Sequence, residues 1–88
     1  RSKKVVREGR KFLYSELKAI GIRYVPSVTN FILIELGPKS LEVTEKLLKK
    51  GVIVRNMKAW GLENFIRVTV GKESENKRFI RELKRVII

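Results

Sequence analysis

The 88-residue chain contains no cysteine, no histidine, no aspartate and no glutamine. Without Cys or His there is no structural zinc site, no Cys–His nucleophile and no Ser–His–Asp triad. All nine carboxylates are glutamates, and no two of them form an evident catalytic pair, so a complete hydrolase is not expected. The lack of Cys removes any disulfide framework and fits a reducing, cytoplasmic compartment. No apolar run has the length needed to span a bilayer and no secretory pattern opens the chain, so no membrane partner is expected. The first residue is Arg rather than Met, which suggests a piece of a longer protein.

Hydrophobic residues make up 43% of the chain, which favours a folded domain over disorder. At this length one small core is expected, of marginal stability when it stands alone. Lys, Arg, Glu, Val and Ile are abundant, a balance that leans toward a thermophile's composition. The formal net charge is +12. Such a charge is compatible with a nucleic-acid footprint. It is equally compatible with solvated helix faces on a part of a larger, less basic protein.

Along the chain, Val6, Leu13, Leu17 and Ile20 fall near helical spacing and predict an amphipathic helix over Arg1–Ile20. Gly21 sits at its expected left-handed end. A short extended piece, Ile22–Val25, runs into Pro26, which disfavours helical backbone at Val25. Asn30–Leu36 is the clearest strand, with Ile32, Ile34 and Leu36 on one face and Phe31 and Leu33 on the other. A strand apolar on both faces is usually covered on both. Ser40 is the expected N-cap of a helix reaching Lys50, with Leu41, Thr44, Leu47 and Leu48 as its buried stripe and Gly51 closing it. Val52–Arg55 and Phe65–Val70 read as strands around a loop with Trp60-Gly61 near its middle. Ser74–Val86 reads as a last helix. The expected fold is therefore α+β in two layers, a small, largely antiparallel sheet with helices on one face, in the order helix-strand-helix-strand-strand-helix.

In Phe65–Val70 the residues Ile66, Val68 and Val70 form the helix-facing side, so Arg67 projects from the opposite one. If the two strands around Gly61 form an antiparallel hairpin, Arg55 stands opposite Arg67. Directly opposed like charges cost about several tenths of a kcal/mol. An anion held between them removes that cost, and arginine's planar fork suits carboxylate and phosphate. Two solvated arginines on a surface hairpin are the alternative. Phe31 and Leu33 favour the clamp, because the sheet's second face then meets another domain or chain, where ligand sites form. That same apolar face also predicts self-association of the isolated piece.

Three segments together resemble the C-terminal region of histidinol-phosphate aminotransferase, a fold-type I enzyme dependent on pyridoxal phosphate. They are Pro26-Ser-Val-Thr-Asn-Phe-Ile-Leu-Ile-Glu35, then Gly51-Val-Ile-Val-Arg55 with Trp60-Gly61-Leu62 and Phe65-Ile-Arg-Val-Thr-Val-Gly71, and finally Gly71-Lys-Glu-Ser-Glu-Asn-Lys-Arg-Phe79. The resemblance covers almost the whole chain. It implies a C-terminal small domain, residues 1–88, of a dimeric cytoplasmic enzyme of histidine biosynthesis. Such an enzyme exchanges an amino group between L-histidinol phosphate and 2-oxoglutarate. By resemblance, Arg67 matches the arginine that binds the substrate's anionic group, and Arg55 a second arginine of that pocket. No segment matches the family's cofactor lysine motif. The implied cofactor, pyridoxal phosphate, is therefore expected on the large domain of the same enzyme, and the isolated small domain is expected to be inactive. Its share would be orientation of a small phosphorylated amine or amino acid, with domain closure.

Two relatives' roles compete with this one: the small domain of threonine-phosphate decarboxylase, and that of another class I or II aminotransferase. From a different class comes a basic nucleic-acid-binding module, with Trp60, Tyr14 and Tyr24 as stacking residues. Against specific nucleic-acid binding, Lys and Arg spread over all three helices with Glu interspersed. A regulatory domain descended from the enzyme is the remaining alternative.

Overall fold

A computed structural model describes residues 3–27 and 29–87. Arg1 and Ser2 of the expected first helix, and Val28 and Ile88, lie outside the described residues. Helix α1 spans Lys3–Ala19 and buries Leu13 and Leu17, with Val6 and Ile20 packed against the same core. It ends as the glycine predicts. Gly21 takes a φ of 75°, and the amides of Gly21 and Ile22 bond back to the carbonyls of Lys18 and Leu17.

Strand β1 (Arg23–Val25) leads to β2 (Phe31–Glu35), which is one residue shorter at each end than its alternation suggested. A single 3-10 turn, Gly37–Lys39, runs into α2 (Ser40–Lys49). Strand β3 is Arg55–Asn56, another 3-10 turn covers Lys58–Trp60, and β4 (Phe65–Thr69) precedes α3 (Glu73–Val86). The sheet order is β1-β2-β4-β3, and each neighbouring pair is antiparallel. Ile32, Ile34, Ile66 and Val68 turn toward the helices and meet Leu13, Leu17, Val43, Leu47, Phe79, Ile80 and Leu83 in one core. This is the expected α+β layering.

Three local expectations need correction. Ser40 is the first residue of α2 and not its cap, because the 3-10 turn leaves no extended residue ahead of the helix. Its hydroxyl donates instead to the Glu63 carbonyl and accepts from Asn56 Nδ2, joining α2 to the loop before β4. The buried stripe of α2 is Ser40, Val43 and Leu47, while Leu41 and Leu48 are 47% and 59% exposed. Finally, Val52–Val54 form no ladder. The Val52 amide bonds to the Leu47 carbonyl at the end of α2, so pairing begins only at Arg55. Val52 and Val54 still lean on the core, and Ile53 points outward at 84% exposure.

Candidate functional site

Strand β4 is central enough to be held from both sides, so the direction of its side chains is fixed by two registers. Leu33 pairs with Arg67 across β2–β4, and Arg55 pairs with Arg67 across β3–β4. Since Val25 pairs with Leu33, one row of side chains crosses the outer face in the order Val25, Leu33, Arg67, Arg55. The opposition of the two arginines, expected from a hairpin around Gly61, is therefore present. Gly61 has a φ of 76° and closes the turn that makes it possible.

The loop between β3 and β4 is folded back on itself. Met57 N–H donates to the Phe65 carbonyl, while the amides of Trp60 and Leu62 both donate to the Met57 carbonyl. Asn56 Oδ1 accepts from the Lys58 amide and fixes the start of the turn. This geometry returns Trp60 to β3, where the Arg55 guanidinium carbon lies 5.7 Å from the indole centroid. On the other side of the row, the Arg67 guanidinium carbon lies 4.4 Å from the centroid of Phe31. Each arginine thus rests against an aromatic ring, and the two rings stand on opposite flanks of the pair. An open groove of about 440 Å³ adjoins the pair, lined by Ile53, Val54, Arg55, Asn56, Arg67 and Thr69.

Four other arginines find acceptors within the chain. Arg10 donates to the Thr29 carbonyl, Arg78 to the Lys50 carbonyl, and Arg81 and Arg85 flank the Glu82 carboxylate. Among the described residues, neither Arg55 nor Arg67 has an ion pair or a hydrogen bond from its guanidinium. The carboxylate on their face, Glu35, is opposite Arg23. Two adjacent cations on one face of a sheet, without a counter-charge, repel each other and attract an anion with bidentate geometry. Sequence reasoning found both arginines from alternation and one turn glycine. It missed that Phe31 and Trp60 support them, because the neighbour of β4 on its far side is not written in the local pattern.

Asn30 uses its backbone carbonyl to accept from the Val70 amide. Tyr14 and Tyr24 stack on each other with centroids 4.4 Å apart and planes 5° from parallel, so each covers a ring face of the other. Among the described residues no group of three or more metal-ligating side chains exists, and no helix is long and apolar enough to cross a membrane.

The family model for aminotransferases of class I and II matches residues 1–83. Histidinol-phosphate aminotransferase 2 of Carboxydothermus hydrogenoformans is 49% identical over 91% of this chain and 22% of its own length. Histidinol-phosphate aminotransferase of Moorella thermoacetica is 41% identical over 99% of this chain and 22% of its own. The crystal structure of the histidinol-phosphate aminotransferase from Clostridium acetobutylicum superposes with a TM-score of 0.79 at 31% identity, covering 92% of this chain and 26% of that one. The chain therefore spans between a fifth and a quarter of the length of these curated relatives.

Proposed function

The chain belongs to the class I and II aminotransferase family, and from that premise we propose that it is the C-terminal small domain of an enzyme that exchanges an amino group between L-histidinol phosphate and 2-oxoglutarate. In this reading Arg67 and Arg55 grip the anionic end of the substrate. The observation that carries it is the opposition of two arginines that, among the described residues, have no acidic partner and lie on a sheet face turned away from the helices. Two arginine forks beside one groove suit a phosphate dianion, which offers enough acceptor oxygens for both. The names of the relatives support the choice of substrate. The C-terminal position rests on the resemblance of the three sequence segments alone.

Enzymes of this family carry pyridoxal phosphate, whose ring serves as electron sink when bound. The residues described here do not compose a site for it. Every lysine of the chain is exposed, and the chain has no aspartate to pair with a pyridine nitrogen. The cofactor accordingly belongs to the large domain of the same enzyme, and the small domain acts by binding and orienting substrate and by excluding water when the two domains close. A cytoplasmic homodimer is the assembly proposed for the parent. The basic surface is read as solvated helix faces, and the mutual stacking of Tyr14 and Tyr24 supports that reading over a base-stacking platform.

The test is kinetic. In the full-length enzyme, Arg67→Ala is expected to raise the KM for histidinol phosphate by about 100-fold, in line with the loss of a charge-assisted bidentate contact of ~3 kcal/mol, while the cofactor's absorbance is unchanged. Wild-type kinetics in that variant would sink the proposal. The parent reading frame supplies an independent check, since a large domain with a cofactor lysine must precede these residues.

A further inference from the structure

We propose that Phe31 is a positioning residue for Arg67, and that helix α1 sets it in place through the turn before β2. Arg67 is flanked on the outer face by Leu33 directly across β2 and by Phe31 one diagonal step away, and its guanidinium is 4.4 Å from the Phe31 ring centroid. The cation thus lies over the negative face of the ring. Phe31 keeps 36% of its surface exposed within this chain, so it is not part of the core that the helices cover. A guanidinium that lies flat on a ring keeps its N–H edge free, and that edge is the part that forks onto an anion.

The ring's own position is determined by a hydrogen-bonded turn. Tyr14 Oη accepts from the Ser27 amide at 2.9 Å, and Arg10 donates to the Thr29 carbonyl at 2.8 Å. Thr29 Oγ1 then accepts from the Phe31 amide at 3.1 Å, and the Asn30 carbonyl accepts from the Val70 amide just beyond β4. The backbone on either side of Phe31 is thereby fixed both to α1 and to the strand that carries Arg67. The consequence is a preorganised guanidinium that loses little freedom when the anion arrives. This inference rests on the reading of Arg67 as the anion ligand.

Phe31→Leu in the full-length enzyme is expected to raise the KM for the phosphorylated substrate, and the inhibition constant of inorganic phosphate, about three- to tenfold, with kcat changed by less than about twofold. Phe31→Tyr retains a ring face and should restore both constants. Pentafluorophenylalanine at position 31 keeps the ring's shape and removes its negative face, so it should behave like Leu; a ring that serves packing alone would leave the fluorinated enzyme at wild-type values, which would overturn the inference. Arg67→Ala is measured alongside. If it weakens phosphate binding while Phe31→Leu does not, positioning by Phe31 is refuted and the arginine site stands. If neither variant weakens binding, the arginine site itself is refuted, and this inference with it.

Discussion

Asn76 does more for this fold than its polarity suggests. It is buried, and its side chain pairs both ways with the backbone of one residue: Oδ1 accepts from the Gly71 amide at 2.9 Å, and Nδ2 donates to the Gly71 carbonyl at 3.0 Å. The end of β4 and the first turn of α3 are joined there, close to Val70 and to α1. Asn76→Ala leaves a buried donor and acceptor unpaired and is expected to destabilise by about 1–3 kcal/mol, or roughly 4–8 °C in Tm for each kcal/mol in a domain of this size. Chemical denaturation of the variant checks it. Gly9 belongs to the same contact. A Cβ there would lie 2.6 Å from Val70 Cγ1 and 2.8 Å from Asn76 Nδ2. Gly9→Ala should therefore cost about 1–3 kcal/mol through overpacking, although alanine is the better helix former. A variant as stable as wild type would mean that α1 can slide off β4 without loss.

At the scale of elements, α2 separates what composition offers from what packing selects. Leu41, Leu47 and Leu48 are equally apolar, yet only Leu47 is enclosed. The sheet decides this by standing behind one face of the helix, and Ser40, bonded to Glu63 and Asn56, fixes the rotation. Leu47→Ala is expected to cost about 2–5 kcal/mol, and Leu48→Ala less than about 0.5 kcal/mol, read from paired denaturation curves. Equal effects would contradict this helix orientation. Helix α3 carries a small pH-dependent contribution. Glu73 sits in its first turn, and a hydrogen bond from Lys77 together with that lysine's charge holds its carboxyl below the ordinary glutamate range. Its folded pKa is depressed, so the contribution is present above the unfolded glutamate pKa and lost as pH falls through the folded value. Both side chains are exposed, so the effect is slight and screened by salt. The Tm difference between wild type and Glu73→Gln should shrink to nothing in acid and in high salt.

For the whole molecule, a net charge of +12 on 88 residues means that compaction brings like charges together. Ion pairs such as Lys84–Glu16 between α3 and α1 offset only part of that repulsion. Raising salt from about 10 mM to about 500 mM shortens the Debye length from ~30 Å to a few Å and should raise the Tm of the isolated chain. A fall in Tm would mean that ion pairs outweigh repulsion. The uncovered sheet face is divided: Val25, Leu33 and Phe31 make its apolar half, and Arg67 and Arg55 its cationic half. That division suits a face that meets a domain on one side and a charged ligand on the other.

The sequence by itself determined the helices α1 and α3, the glycines that end α1 and α2, the two-faced strand β2, and the alternation that sends Arg67 away from the core. These follow from side-chain period and backbone stereochemistry, which act within a few residues. Even the opposition of Arg55 and Arg67 was legible, since one hairpin fixes its own register. The tertiary structure alone decided which leucine of α2 is buried, that Val52 closes a helix before any strand begins, and that Ser40 bonds across to the loop before β4 instead of capping. It also decided that β2 lies beside β4, which brings Phe31 over Arg67. Those outcomes depend on contacts between segments distant along the chain, where core packing and the pairing of buried polar groups outweigh local preference.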